Sequence, residues 1–222
     1  MPVVTIYFDR IYSMLKGEID RDELLDKIPY LGLDIEEIHE SYFKLEYNPN
    51  RPDFSTDYGL ARALNAFLEF EKSWPDYNIT KNDLTIHVDQ SIKNVRPYIT
   101  SAIVKNIILD DESIRQLINM QEDLHNGIGR KRRKVSIGIH NFDVIKPPIY
   151  YKTVDKTFSF VPLNNKNEST IHEILTETDT GKSYGGILSE SSLYPILVDS
   201  SNEVLSFPPI INGDLTRLTS DT

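Results

Sequence analysis

Two groups of residues in this 222-residue chain have the types and spacing to do chemistry. The first is a run of five consecutive cations, Arg130-Lys131-Arg132-Arg133-Lys134, preceded by His125-Asn126-Gly127-Ile128-Gly129. Glycines ahead of the run let the backbone bend, so the side chains can fan out. An arginine fork matches phosphate oxygens in pairs. The bland account of the same run is a solvated face, or arginines paired to carboxylates. The second group is Ser206 and Asn212, small polar residues set among Leu, Ile and Phe. A few polar groups in an apolar wall are the usual lining of a small-molecule pocket. His39, His87, His125, His140 and His172 are scattered and show no metal-ligand spacing, so no metal site is expected. No histidine stands near Ser206 in the sequence. Thr180-Gly181-Lys182-Ser183 ends like a phosphate loop but lacks its earlier glycine, and is set aside.

These groups need elements to hold them. Tyr194-Pro195-Ile196-Leu197-Val198 and Val204-Leu205 are apolar runs around the polar turn Asp199-Ser200-Ser201-Asn202, which predicts a hairpin. Pro208-Pro209 removes two ladder donors and should end the second strand. Gly185 and Gly186 are expected to admit a close approach. Upstream, residues 84–88 and 135–140 read as strands, the latter with a small residue at every second position, and residues 100–108 as a mostly buried strand. Asp110 or Asp111 should start a helix with Ile114, Leu117, Ile118 and Leu124 on one face. Thr170 should cap a short helix.

Nearer the N-terminus, residues 3–8 read as a strand, and residues 35–38 and 42–47 as a strand pair. Asp9, Asp20 and Asp57 are placed to cap helices, the last reaching about Phe70. Arg51, Asp53 and Arg62 suggest a structural charge network. A linker at Lys72-Ser73-Trp74-Pro75-Asp76-Tyr77-Asn78 divides the chain into a small domain, 1–80, and a mixed α/β domain, 81–222, with a mainly antiparallel sheet. The fold class is α+β.

Hydrophobic content of 39% and charged content of 26% are ordinary for a globular protein. There is no cysteine, which excludes disulfides and thiolate metal sites. No stretch reads as a leader or a membrane span, so a cytoplasmic protein with no membrane partner is expected. The net charge of −10 argues against nonspecific affinity of the whole chain for nucleic acid; no DNA partner is expected, but a local cluster can still bind RNA.

Three segments, in order, carry a family resemblance: NRPDFSTDYGLARAL, GRKRRKVSIGIHNFDVIKPPIYY, and YPILVD with VLSFPPIING. They resemble the beta subunit of phenylalanine–tRNA ligase of the archaeal and eukaryotic type, over essentially the whole chain. That subunit is much longer, so the chain looks like an N-terminal fragment containing the editing domain. The resemblance implies hydrolysis of tyrosine mischarged onto phenylalanine tRNA, within an enzyme that attaches phenylalanine. It implies Leu197 packing against the amino-acid side chain and Ser206 orienting the ester, the water or the adenosine, Ser206 being the catalytic candidate. His125 is a weaker neighbour of substrate. Arg130, Lys131, Arg132 and Arg133 would face tRNA. The family pattern continues with an Asp-x-Thr pair expected beyond Thr222. The fragment itself needs no cofactor; ATP, magnesium and the alpha subunit, in an alpha2beta2 assembly, belong to the intact ligase. Two other readings stay open: a noncatalytic structural or tRNA-docking module, and a free-standing editing protein.

Overall fold

The computed structural model describes residues 1–72 and 77–222; Ser73-Trp74-Pro75-Asp76 of the expected linker lie outside them. The chain forms two compact units, Met1–Thr80 with Arg115–Gly127, and Lys81–Ile114 with Ile128–Thr222. The division after residue 80 is therefore crossed once more, by a helical segment that joins the first unit.

In the first unit a three-stranded antiparallel sheet runs in the order β1 (Val3–Tyr7), β3 (Tyr42–Glu46), β2 (Asp34–Ile38). The helices α1 (Phe8–Met14), α2 (Arg21–Lys27) and α3 (Asp57–Phe67) accompany it. Ile6, Phe43, Ile11, Leu24, Leu60 and Leu64 share one core, each worth about 1.5–3 kcal/mol of burial. Asp20 caps α2 as expected, accepting from the Glu23 amide at 2.8 Å. Two other caps differ. Thr56, not Asp57, caps α3, accepting from the Gly59 amide at 3.1 Å. Asp57 instead sits buried and accepts from Arg10 Nε at 2.6 Å. Asp9 lies inside the first turn of α1, whose N-cap is Tyr7. Arg51 grips Asp53 with two bonds of 2.9 and 2.7 Å, which holds that carboxyl below its usual range.

The helix α4 (Asp111–Asn126) starts at Asp110, whose carboxylate accepts from the Ser113 amide at 2.8 Å. Its buried residues are Gln116 and His125 rather than the expected apolar row, and Ile118 is exposed. Polar contacts explain this face. Gln116 Oε1 accepts from the Asp57 amide at 2.9 Å, and Tyr47 donates to Asp123 at 2.5 Å.

The second unit is built on a five-stranded sheet. The order is β10 (Ile211–Asn212), β9 (Val204–Phe207), β8 (Tyr194–Val198), β5 (Ile149–Val154), β4 (Ile86–Val88). Every pairing is antiparallel except β4 with β5. A short antiparallel pair, β6 (Ser159–Phe160) with β7 (Ser169–Thr170), precedes α5 (Ile171–Glu177) and α6 (Asp179–Tyr184). Thr170 and Glu173 form a reciprocal capping box on α5. Ile171, Ile174, Ile196, Val198 and Phe207 are the centre of this core. The mixed α and β content with mainly antiparallel sheet agrees with the fold class read from the sequence.

The hairpin is present, and Asp199 organises its turn. Its Oδ1 accepts from the Ser201 and Glu203 amides at 2.7 and 3.0 Å, and its Oδ2 from the Lys146 amide at 3.0 Å. Strand β9 stops at Phe207, before the prolines, and the chain returns as β10.

Two expectations fail and a third holds in part. Residues 100–108 form no strand and are mostly exposed; Ile108 is 96% exposed. Residues 135–140 form no strand either: Asn141 donates to Thr216 O and Val135 to Gly129 O, but no ladder joins these ends. In both, β-favouring residues lack a partner strand among the described residues, and propensity alone does not make a sheet. Gly185 and Gly186 lie in a single-turn helix, and Gly186 has open space where a Cβ would stand. A Cβ at Gly185 would lie 3.2 Å from Leu175 Cδ2, so a close approach is present at Gly185 and absent at Gly186.

Candidate functional site

The five-stranded sheet assembles the site by register. Leu197 on β8 stands opposite Tyr151 on β5 and opposite Ser206 on β9; Ser206 stands opposite Asn212 on β10. Cross-strand partners put their side chains on the same face, with Cβ atoms about 4.5–5.5 Å apart. Leu197, Ser206 and Asn212 are all half-buried. The row depends on a bulge. Leu197 pairs with Ser206, but Val198 pairs with Val204, so β9 carries one extra residue at Leu205. Regular alternation would put Val204 and Ser206 on one face. The bulge lets Val204 join the core while Ser206 turns to the opposite face.

Ser206 Oγ donates to Asn212 Oδ1 at 3.0 Å. Asn212 is held in turn, since its carbonyl accepts from the Leu163 amide at 2.9 Å. A further group meets them. A Cβ added to Gly138 would lie 2.7 Å from His140 Nε2 and 3.2 Å from Asn212 Oδ1, so both polar atoms converge on the same side of this glycine. His140 Nδ1 bonds Thr216 Oγ1 at 2.8 Å, and Thr216 is buried. Burial depresses the His140 imidazole to a pKa of about 4, so it is neutral at physiological pH. Thr216 belongs to an Asp-x-Thr of this chain, Asp214-Leu215-Thr216, in which Asp214 accepts from the Asn164 amide at 2.9 Å.

The basic run folds as a left-handed loop. Arg130, Lys131 and Arg132 have φ of 50°, 54° and 63°. This region costs a side-chain-bearing residue about 1–2 kcal/mol. Lys134 closes the loop by donating to Gly129 O at 2.9 Å. Arg132 turns inward: its Nη1 donates to Pro209 O at 3.2 Å and Ile210 O at 3.1 Å, and its guanidinium lies 4.2 Å from the Tyr184 ring centre. Arg130, Lys131, Arg133 and Lys134 point the other way, exposed around a depression of about 560 Å³. One of the four predicted RNA-facing residues is thus a clamp between the loop and the turn that leads into Asn212.

His125 is 2% exposed and bonds Glu122 on its own helix at 3.1 Å. It belongs to the first unit, whereas Leu197 and Ser206 belong to the second. Its surroundings are those of a packed helical residue.

Curated relatives match the chain from end to end. The phenylalanine–tRNA ligase beta subunit of Archaeoglobus fulgidus is 46% identical over 222 residues, all of this chain and 40% of that protein. That of Pyrococcus horikoshii is 42% identical over 228 residues, again all of this chain and 41% of that protein. The crystal structure of an N-terminal fragment of the phenylalanyl-tRNA synthetase beta subunit from Pyrococcus horikoshii superposes with a TM-score of 0.89 at 40% identity, covering all of this chain and 65% of that one. This chain is homologous to the N-terminal part of the phenylalanine–tRNA ligase beta subunit. It spans about 40% of the length of these beta subunits. No family model matches it.

Against the beta-subunit motifs, Gly138, His140 and Thr216 are the residues that sequence reasoning did not assign. The alternation Ser136, Gly138, His140 was the available signal, because period two places them on one side of an extended chain. Thr216 is 76 residues from His140, and no local spacing shows that contact.

Proposed function

We propose that this chain is the editing part of a phenylalanine–tRNA ligase and hydrolyses tyrosine mischarged onto phenylalanine tRNA. The observation that carries the reading is the cross-strand row Leu197, Ser206, Asn212 on a solvent-reached face of the sheet. Leu197 supplies an apolar contact for the aromatic ring. Ser206, tied to Asn212, orients the ester. A site that pairs with the tyrosyl hydroxyl can reject the analogue lacking it by about 10⁴–10⁵, because its polar group is otherwise left unpaired. Hydrolysis of an activated ester by positioned water needs no covalent intermediate.

Arg130, Lys131 and Arg133 contact tRNA phosphates, and Arg132 keeps their loop in place. The relatives' name, a beta subunit of a phenylalanine–tRNA ligase, supports an alpha-subunit partner; ATP-driven attachment of phenylalanine by a complete, cytoplasmic ligase belongs to the same proposal. Among the described residues no three His, Asp or Glu side chains gather to hold a metal. No described helix is long and apolar enough to cross a membrane.

The test is deacylation of tyrosine-charged phenylalanine tRNA, with phenylalanine-charged tRNA alongside. Selective loss of tyrosine, slowed by Ser206→Ala without reduced phenylalanine attachment, is the expected result. Retained tRNA binding with no tyrosine release by the complete ligase would overturn the editing reading in favour of a docking module.

A further inference from the structure

The basic loop is fastened to the sheet by a cation outside its own run. Arg96 Nη1 donates to the carbonyls of Arg132 and Arg133 at 3.3 and 3.5 Å, and Nη2 donates to Ser136 Oγ at 3.4 Å. These oxygens are neutral, and burial lowers the pKa of the guanidinium from its ordinary value. Each bond is long and weak by itself. A planar fork that reaches three acceptors from one side is nonetheless suited to fixing a shape. Arg130, Lys131 and Arg132 turn left-handed in succession. Carbonyls of this turn face Arg96, while Arg130, Lys131, Arg133 and Lys134 line the depression.

Arg96 is itself located by the sheet. The Tyr151 hydroxyl donates to the Arg96 carbonyl at 2.7 Å, and Tyr151 is the β5 residue opposite Leu197. Across four strands the row is therefore Tyr151, Leu197, Ser206, Asn212. The loop is tied at both ends of it. One tie runs through Arg96 to Tyr151. The other runs through Arg132 to Pro209 and Ile210, just ahead of Asn212.

We propose that Arg96 is a positioning residue for RNA, holding the basic loop in the left-handed shape in which its exposed cations meet phosphates, at a fixed place relative to Leu197 and Ser206. The proposal rests on the tRNA-facing reading of the loop given above. The Arg96 fork is turned to the loop backbone, so it acts on phosphates only through Arg130, Lys131 and Arg133. A loop released from Arg96 keeps its charge and loses its register. It still attracts RNA, but fewer of its cations stand opposite a phosphate at once. Lysine cannot substitute, because an ammonium is a point charge and does not span the acceptors of a fork.

The experiment measures binding of uncharged phenylalanine tRNA to the complete ligase across a salt series. The variants are Arg96→Lys, Tyr151→Phe, the pair Arg130→Ala with Arg133→Ala, and that pair combined with Arg96→Lys. Arg96→Lys leaves the net charge unchanged, so a merely structural role would not move the salt slope. The expected result is a Kd raised about 10-fold and a slope of log K against log salt lowered by about 0.7–0.9, the loss of one phosphate contact. In the alanine pair, Arg96→Lys should add less than about twofold, because the contacts it would misplace are already gone. Tyr151→Phe releases the Arg96 carbonyl without touching any charge, should weaken binding in the same direction, and carries the test if Arg96→Lys fails to fold. Wild-type Kd and slope in a folded Arg96→Lys, or an undiminished loss in the alanine-pair background, would overturn the positioning role alone. An unchanged slope in the alanine pair by itself would overturn the tRNA-facing reading of the loop, and this proposal with it.

Discussion

Lys131→Gly and Arg132→Gly make a paired experiment on the basic loop. Both residues sit at left-handed φ, 54° and 63°. Glycine at either position removes about 1–2 kcal/mol of conformational strain. It returns about 0.5–1 kcal/mol as extra freedom of the unfolded chain. Lys131 is exposed, so Lys131→Gly should stabilise the second unit by about 0.5–1 kcal/mol. Arg132→Gly gains the same relief but loses the clamp. One charged N–H shared between two carbonyls at 3.2 and 3.1 Å counts as a single bond of about 2 kcal/mol. The guanidinium over Tyr184 adds about 1 kcal/mol. The net is a loss of about 2 kcal/mol, so the two variants should differ by about 3 kcal/mol. Because the chain has two units, a single global transition is not a sound measure. Hydrogen exchange at the Ile210, Ile211 and Asn212 amides, read through a urea series, reports the affected turn directly. Equal protection in the two glycine variants would refute the clamp.

Other outcomes follow from the same geometry. His140 has a folded pKa near 4 against an ordinary 6.5, so the unfolded chain binds the proton first. Its contribution is complete above pH 6.5 and is lost as pH falls toward 4, a total of about 3 kcal/mol. The urea midpoint of His140→Asn should change less than wild type between pH 7.5 and 4.5, and parallel curves would contradict the buried neutral imidazole. Arg130→Ala with Arg133→Ala should weaken tRNA binding and lower the slope of log K against log salt by roughly 1.5, about 0.7–0.9 per phosphate contact; an unchanged slope would make the loop a solvated face. Asp199→Ala removes the buried carboxylate that gathers three amides of exposed residues and should cost about 2 kcal/mol, visible as a lowered urea midpoint. A cost below 1 kcal/mol would mean that the turn is held by the strands alone.

The sequence was most readable where a local rule decides the structure. The hairpin, its four-residue turn and the proline stop after β9 follow from alternation and from the missing proline donors. The caps at Thr170 and Asp20 follow from hydroxyl or carboxylate groups ahead of helical runs. It was misleading where a partner decides. Residues 100–108 have strand-like composition but no ladder. The inner face of α4 is polar because Gln116 and His125 meet fixed groups, which a search for apolar periodicity cannot register. Arg132 was grouped with its neighbours because five cations in a row look alike; only three left-handed residues in succession separate its direction from theirs. Leu197 and Ser206 were reached through motif resemblance, whereas their pairing is a matter of register. His140 was missed because its neighbours Asn212 and Thr216 come from a distant stretch.

The extra residue at Leu205 bears on how this segment can change over evolutionary time. Substitutions can accumulate one by one along β9, since each alters a single side chain. A one-residue deletion there is different in kind: losing Leu205 would remove the bulge and make Val204 and Ser206 neighbours on opposite faces of a regular strand, the faces that they occupy now. A one-residue insertion would add a second offset to the first. This strand can therefore shorten by that one residue without moving Val204 or Ser206 to another face, whereas any growth there has to be absorbed by a further bulge.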